Sequence, residues 1–238
     1  MNIDVVTYNS IIDTASLFDK TAIVIDVLRC TSVISAALQN GAEKVIPVLE
    51  PEDAIALAAE IGRENCILGG ERGCNKLPGF DNGNSPLEYT EDCVGGKAVV
   101  ISTSNGTTAI RGVSSADHVF LGAISNCAAV AKAAFNCGND VLLVCSGTNR
   151  KPSADDYCAA GAIIEELLKL DPACRLSDIA IVCRFLYKNL RSGGFDLMQT
   201  FHCKRLFDLG YVKDIEYCMT PNTSSVVPVY IDGEILCL

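Results

Sequence analysis

The sequence is poor in the residues and patterns that mark several large functional classes. Only two histidines, His118 and His202, occur in 238 residues, and the 13 cysteines include no pair in Cys-x-x-Cys spacing. A zinc site of ordinary ligand type is therefore hard to assemble, and any bound metal must be held by oxygen. The odd cysteine count, and the scatter of Cys66, Cys137, Cys145 and Cys183 through apolar segments, argue against a disulfide scaffold and for reduced core residues. No Gly-x-Gly-x-x-Gly follows a strand pattern and no Gly-x4-Gly-Lys-Ser/Thr is present. Dehydrogenase and kinase readings lose their main support.

Long apolar runs are missing too, although 49% of the residues are hydrophobic and the mean hydropathy is +0.28. Asp26 and Arg29 interrupt 21–38, Lys132 interrupts 127–135 and Arg184 interrupts 179–187, whereas a membrane-spanning helix needs roughly 20 mostly apolar residues. The first residues carry neither the basic stretch nor the apolar core of a secretory signal, so a cytoplasmic location is expected. Basic residues are few: 19 against 29 acidic ones, for a formal charge of −10. That balance excludes nucleic acid and anionic membrane as natural partners. A small anionic substrate is compatible with it if a few arginines, helix amino termini or a cation make a local positive site.

What is present is an alternation of short β-rich runs with helical ones. Strands are expected at 5–7, 22–27, 44–49, 66–68, 97–102, 118–121 and 140–145, and helices at 31–39, 54–64, 125–136 and 155–170. This is the pattern of an α/β domain, with a mostly parallel sheet and helices on both faces. In the last quarter, 177–189 and 195–209 have amphipathic helical periodicity, and 226–231 with 234–237 around Asp232-Gly233 form a closing β-hairpin. No linker divides the chain, so 1–238 is expected to be a single domain with 175–238 as a helical and hairpin extension. The apolar segment 226–238 suits either its own domain or a second subunit, which leaves a homo-oligomer open.

In such sheets ligands bind beyond the carboxyl ends of the strands, and four of those junctions are polar. Asp26 ends the apolar run Ala22-Ile-Val-Ile and is costly to bury without a cation or hydrogen bonds. Arg29, three residues on, can grip an anion through its fork or form a salt bridge with Asp26. Gly70-Glu71-Arg72-Gly73 opens an irregular stretch that includes Asp81, Asn84, Ser85 and Glu88. A loop of about 15 residues with this anchoring by Leu77, Phe80 and Leu87 favours function over disorder. Ser102-Thr103-Ser-Asn105-Gly106-Thr107 leads into a helix and offers either an anion cradle or an ordinary threonine-capped Asn-Gly turn. Asp155 and Asp156 begin a helix, where acids suit the positive dipole end; with Asp26, Glu71 and Asp81, Asp156 also makes a set of hard ligands suited to Mg²⁺. Cys66 and Arg72 have the Cys-x5-Arg spacing of cysteine phosphatases, but Ile67 and Leu68 continue a strand and bury Cys66 away from any loop.

Taken in order, Asp26-Val-Leu-Arg29-Cys-Thr31-Ser32, Gly70-Glu71-Arg72, Gly79-Phe80-Asp81-Asn-Gly83-Asn84-Ser85-Pro86-Leu-Glu88, Thr103-Ser-Asn105-Gly106-Thr107 and Asp155-Asp156 with Ala160-Gly161 resemble the 2-phosphosulfolactate phosphatase family. The resemblance departs at Cys30, where the family commonly has alanine, and at Cys158, without loss of an acid or arginine.

The resemblance implies a magnesium-dependent phosphatase that converts 2-phosphosulfolactate to 3-sulfolactate and inorganic phosphate, a step associated with coenzyme M synthesis. On this reading Mg²⁺ is held by some of Asp26, Glu71, Asp81 and Asp156. Asp26, Arg29 and Arg72 act in catalysis, and the substrate is bound by Arg29, Arg72, Asn84, Ser85, Thr103, Asn105, Gly106 and Thr107. The nucleophile is either a metal-activated water or Asp26. A non-catalytic binder of an anionic metabolite, or a phosphatase for another phosphorylated hydroxy acid, are the competing functions.

Overall fold

A computed structural model describes residues 1–8 and 17–238. Its strands are β1 (Asn2–Val6), β2 (Lys20–Ile25), β3 (Lys44–Pro47), β4 (Cys66–Arg72), β5 (Asn75–Lys76), β6 (Ala98–Ser102), β7 (His118–Gly122), β8 (Asp140–Cys145), β9 (Arg175–Leu176), β10 (Pro228–Ile231) and β11 (Glu234–Cys237). The helices are α1 (Cys30–Gln39), α2 (Pro51–Ile61), α3 (Glu91–Val94), α4 (Gly106–Gly112), α5 (Cys127–Cys137), α6 (Ala154–Leu170), α7 (Asp178–Ser192), α8 (Phe201–Asp208) and α9 (Val212–Cys218). Among the described residues the strands form one sheet in the order β5-β4-β6-β3-β11-β10-β7-β2-β8-β1-β9.

Two blocks of this sheet are parallel throughout, β7-β2-β8-β1-β9 and β3-β6-β4. The hairpin of β10 and β11 joins them, antiparallel to β7 through Val229 opposite Phe120 and to β3 through Ile235 opposite Val45. Asp232 and Gly233 turn it with φ of 50° and 94°, the left-handed pair that a two-residue hairpin turn requires. The expected closing hairpin therefore packs on its own chain, in the middle of the sheet and not at its edge.

Strands covered on both faces need continuous apolar sequence, and β2 shows why. Ile23 and Ile25 enter a core with α5, α6 and α7, while the alternate residues Ala22 and Val24 enter another with α1 and α4. A third core places α2 over β4 and β6. Helix α1 is buried from Cys30 to Leu38, as befits a helix without a charged face. No helix among the described residues is long and apolar enough to cross a membrane.

The α/β class is as expected, with local differences. The segment expected as one helix over 195–209 is a 3-10 turn, Leu197–Gln199, capped by the Asp196 side chain on the Met198 amide, followed by α8. Extended Thr200, at ψ 151°, separates the two. The short β5, β9 and α9 lack enough periodic residues to show in the sequence.

Candidate active site

The loops after β2, β4, β6 and β8 converge with α8 on a polar cleft of about 490 Å³ counted to its open mouth. Asp26 follows β2 directly and is 7% exposed. Burial pushes its carboxyl up to about 6; Glu71 adds to the effect and the His202 charge opposes it. The start of α4 passes so close that a Cβ at Gly106 would lie 2.7 Å from Asp26 Oδ2 and 2.6 Å from Cys30 Sγ. Only glycine lets the backbone through.

Glu71, at the end of β4, faces the same cleft. Its Oε1 accepts the Ser104 amide at 2.8 Å and its Oε2 the Cys74 amide at 2.7 Å, so the acid fixes two loops while keeping lone pairs for a ligand. Asn84 also lines the cleft, and its buried Oδ1 has no hydrogen-bond partner among the described residues. Such an orphaned oxygen is uncommon in a folded protein and calls for a partner.

Three cationic side chains complete the walls. Arg29 is almost wholly buried; its Nη1 meets Asp214 Oδ2 at 2.5 Å and its guanidinium stacks 4.0 Å from the centre of Tyr211. Ser85 Oγ donates to the other Asp214 oxygen at 2.8 Å. His202 Nδ1 lies 3.0 Å from Asp155 Oδ2. Burial would lower the imidazole pKa, but Asp155 overrides it and drives the group up to about 11, so the ring carries a proton. Burial conversely raises Asp155, and the hydrogen bonds and charge of His202 and Ser153 outweigh it, holding the acid below its ordinary value. Arg205, one helical turn beyond His202, reaches across to Gly73 O at 3.0 Å.

Of the residues expected at the site, Asp26, Arg29, Glu71, Asn84 and Asn105 line the cleft. Ser85 stands behind it, orienting Asp214. Arg72 is drawn aside: its guanidinium donates to Leu49 O at 2.7 Å, Ser102 Oγ at 3.0 Å and Glu71 O at 2.9 Å. Thr103 and Thr107 are buried and bonded to each other, the Thr107 amide to Thr103 Oγ1 and the Thr107 hydroxyl to Thr103 O. The Ser104 amide is given to Glu71 and the Thr107 amide to Thr103, so these two donors of the turn are already spent.

Two expected metal ligands are displaced. Asp81 pairs with Arg63 at 2.8 Å at the surface and accepts the Leu68 amide; its carboxyl is consumed in closing the loop. Asp156 accepts the Val27 and Gly147 amides at 3.1 and 2.9 Å and the Ser146 hydroxyl at 3.2 Å, bracing the loops after β2 and β8 from within. Its carboxyl is pushed well above the usual range by burial, helped by Asp155 and Asp26. The neighbouring Asp155, not Asp156, reaches the cleft through His202. Cys66 sits in β4 with its thiol toward Ala58 O, away from the cleft, and burial beside Asp26 raises the Cys30 thiol well above its ordinary value.

A family model described as 2-phosphosulpholactate phosphatase matches residues 7–233. A protein of Caldanaerobacter subterraneus subsp. tengcongensis named probable 2-phosphosulfolactate phosphatase is 44% identical over 228 residues, covering 95% of this chain and 94% of the relative. Relatives of the same name from Clostridium acetobutylicum and Clostridium tetani are each 42% identical, over 99% and 98% of this chain and 100% and 99% of their own lengths. The chain belongs to the 2-phosphosulfolactate phosphatase family.

In this member of the 2-phosphosulfolactate phosphatase family, the residues that sequence reasoning missed come from its last quarter. His202, Arg205 and Asp214 all reach the cleft or its supports. One signal was available, since His202 is one of only two histidines. Its partner Asp155 lies 47 positions away, and no spacing rule connects them.

The 2-phosphosulfolactate phosphatase cleft also bears on a bound cation. Among the described residues no cluster of three or more His, Cys, Asp or Glu side chains is arranged to hold a metal, so a cage made wholly of such ligands is absent there. Mg²⁺ is commonly held by one or two carboxylates, waters and substrate phosphate instead. Asp26, Glu71 and the orphaned Asn84 oxygen match that donor set.

Proposed function

We propose that this chain is a cytoplasmic, magnesium-dependent phosphatase that hydrolyses 2-phosphosulfolactate to 3-sulfolactate and inorganic phosphate. The observation that carries the reading is the meeting of Asp26 and Glu71 with the cations Arg29, His202 and Arg205 in one cleft. Two acids facing each other repel a bare phosphate. Beside a hard cation they become its ligands, and the surrounding positive groups then suit an anionic ester.

Asp26, Glu71 and Asn84 are the residues that would hold Mg²⁺, which supplies positive charge against the phosphoryl oxygens as negative charge develops in the transition state. Arg29, fixed by Asp214 and Tyr211, presents its guanidinium at a defined place, so little rotamer freedom is lost on binding. In the net reaction the ester P–O bond breaks, water supplies the new oxygen on phosphorus, and the departing alkoxide takes up a proton. The 13 unpaired cysteines fit a reducing compartment.

Phosphate release from 2-phosphosulfolactate, 2-phospholactate and phosphoglycolate, with Mg²⁺ and after EDTA treatment, tests the reading. Metal-dependent release favouring the sulfonated ester supports it. Release only from the other esters overturns the substrate; no release from folded protein overturns catalysis and leaves an anion-binding protein.

A further inference from the structure

The cations of the cleft are not equivalent. Arg29 and His202 each face a buried carboxylate of their own, Asp214 and Asp155, whereas among the described residues Arg205 has no acidic group within ion-pair distance. It is exposed on α8, while Cys203 and Leu206 on the same helix are buried and hold that helix in place. Residues three apart on a helix share a face, so His202 and Arg205 stand together on the cleft that Asp26 and Glu71 also line. Among the described residues its one hydrogen bond, from Nη2 to Gly73 O, leaves most of the guanidinium's five donors unspent.

The acids of the cleft mark the cation and phosphoryl end. A further acidic group of the ester must be met by another cleft cation, and among the described residues that line the cleft Arg205 is the one lacking a carboxylate of its own. A sulfonate is charged at every working pH and offers three acceptor oxygens, which suits a guanidinium fork beside an imidazolium.

Resting on the phosphatase reading above, we propose that α8 is the specificity wall of the enzyme, on which Arg205, with His202 beside it, holds the sulfonate of the substrate. The C-terminal segment thereby supplies the recognition that separates a sulfonated phosphoester from its plain analogue, and the loops at the strand ends supply the chemistry.

The test compares Arg205→Gln and Arg205→Lys with the wild-type full-length protein on 2-phosphosulfolactate and on 2-phospholactate, which differ only by the sulfonate. Arg205→Gln is expected to raise KM for the sulfonated ester about tenfold or more, with kcat changed less than about threefold. The wild-type preference for that ester falls accordingly, and Arg205→Lys restores part of it. Equal losses on both esters, or no loss on either, overturn the proposal, because Arg205 would then serve the phosphoryl group, the carboxylate, or nothing. Calorimetric titration with 3-sulfolactate and with lactate gives an independent arm. Wild type should bind the sulfonated acid more tightly and Arg205→Gln should lose that margin. If wild-type protein releases no phosphate from any ester, the phosphatase reading fails, and this titration still decides the role of Arg205.

Discussion

Replacing Asp26 by asparagine should separate the stability of this protein from its activity. The Asp26 carboxyl titrates at 3.8 in an exposed setting and at about 6 in the fold, chiefly because burial disfavours its charge. That difference is worth about 3 kcal/mol against the ionised form, at about 1.4 kcal/mol per pH unit. A group whose pKa is raised on folding contributes its stability below the unfolded value and loses it as pH rises through the folded value. Metal-free wild type should therefore weaken between about pH 4 and pH 6, losing about half of the 3 kcal/mol by pH 5 and nearly all by pH 7. Asp26→Asn, nearly isosteric and uncharged, lacks this loss. Urea unfolding in EDTA at pH 4.5 and pH 8 measures it: the variant should gain up to about 3 kcal/mol on wild type at pH 8 and only about 1 kcal/mol at pH 4.5, while phosphate release falls below detection. Identical pH dependence in the two proteins would refute the assignment of a desolvated carboxylate at Asp26. Unchanged phosphate release would remove it from catalysis.

Two further substitutions probe the supports of the site. Asp214→Asn leaves the buried Arg29 guanidinium facing a neutral amide and weakens the Ser85 contact, so a loss of about 3–5 kcal/mol is expected on denaturant unfolding; a change under about 1 kcal/mol would show that solvent or Tyr211 already satisfies Arg29. Asp81→Asn breaks a surface ion pair with Arg63 and weakens one backbone contact, costing about 1 kcal/mol, and the Mg²⁺ concentration for half-maximal phosphate release should match wild type; a tenfold rise would return Asp81 to the metal set.

The sequence by itself determined the class of the fold, because apolar strands alternating with helical segments can be buried in few ways, and β2 had to be covered on both faces. Of the polar residues it marked at the strand ends, Asp26, Arg29, Glu71, Asn84 and Asn105 line the cleft, whereas Arg72, Asp81 and Asp156 are engaged elsewhere. It could not separate acids that face the cleft from acids spent on structure. Asp155 and Asp156 are neighbours with the same local signal; the helical turn sends one to His202 and the other to the amides of Val27 and Gly147. Asp81 and Glu71 flank one loop, yet Arg63 takes the first. Tertiary structure alone decided these cases, and it alone brought α8 and α9, more than 100 residues beyond Asp26, to the cleft. The physical reason is that hydrogen-bond partners of a buried carboxylate come from wherever the packing of the cores brings a donor, and that choice carries no periodicity along the chain.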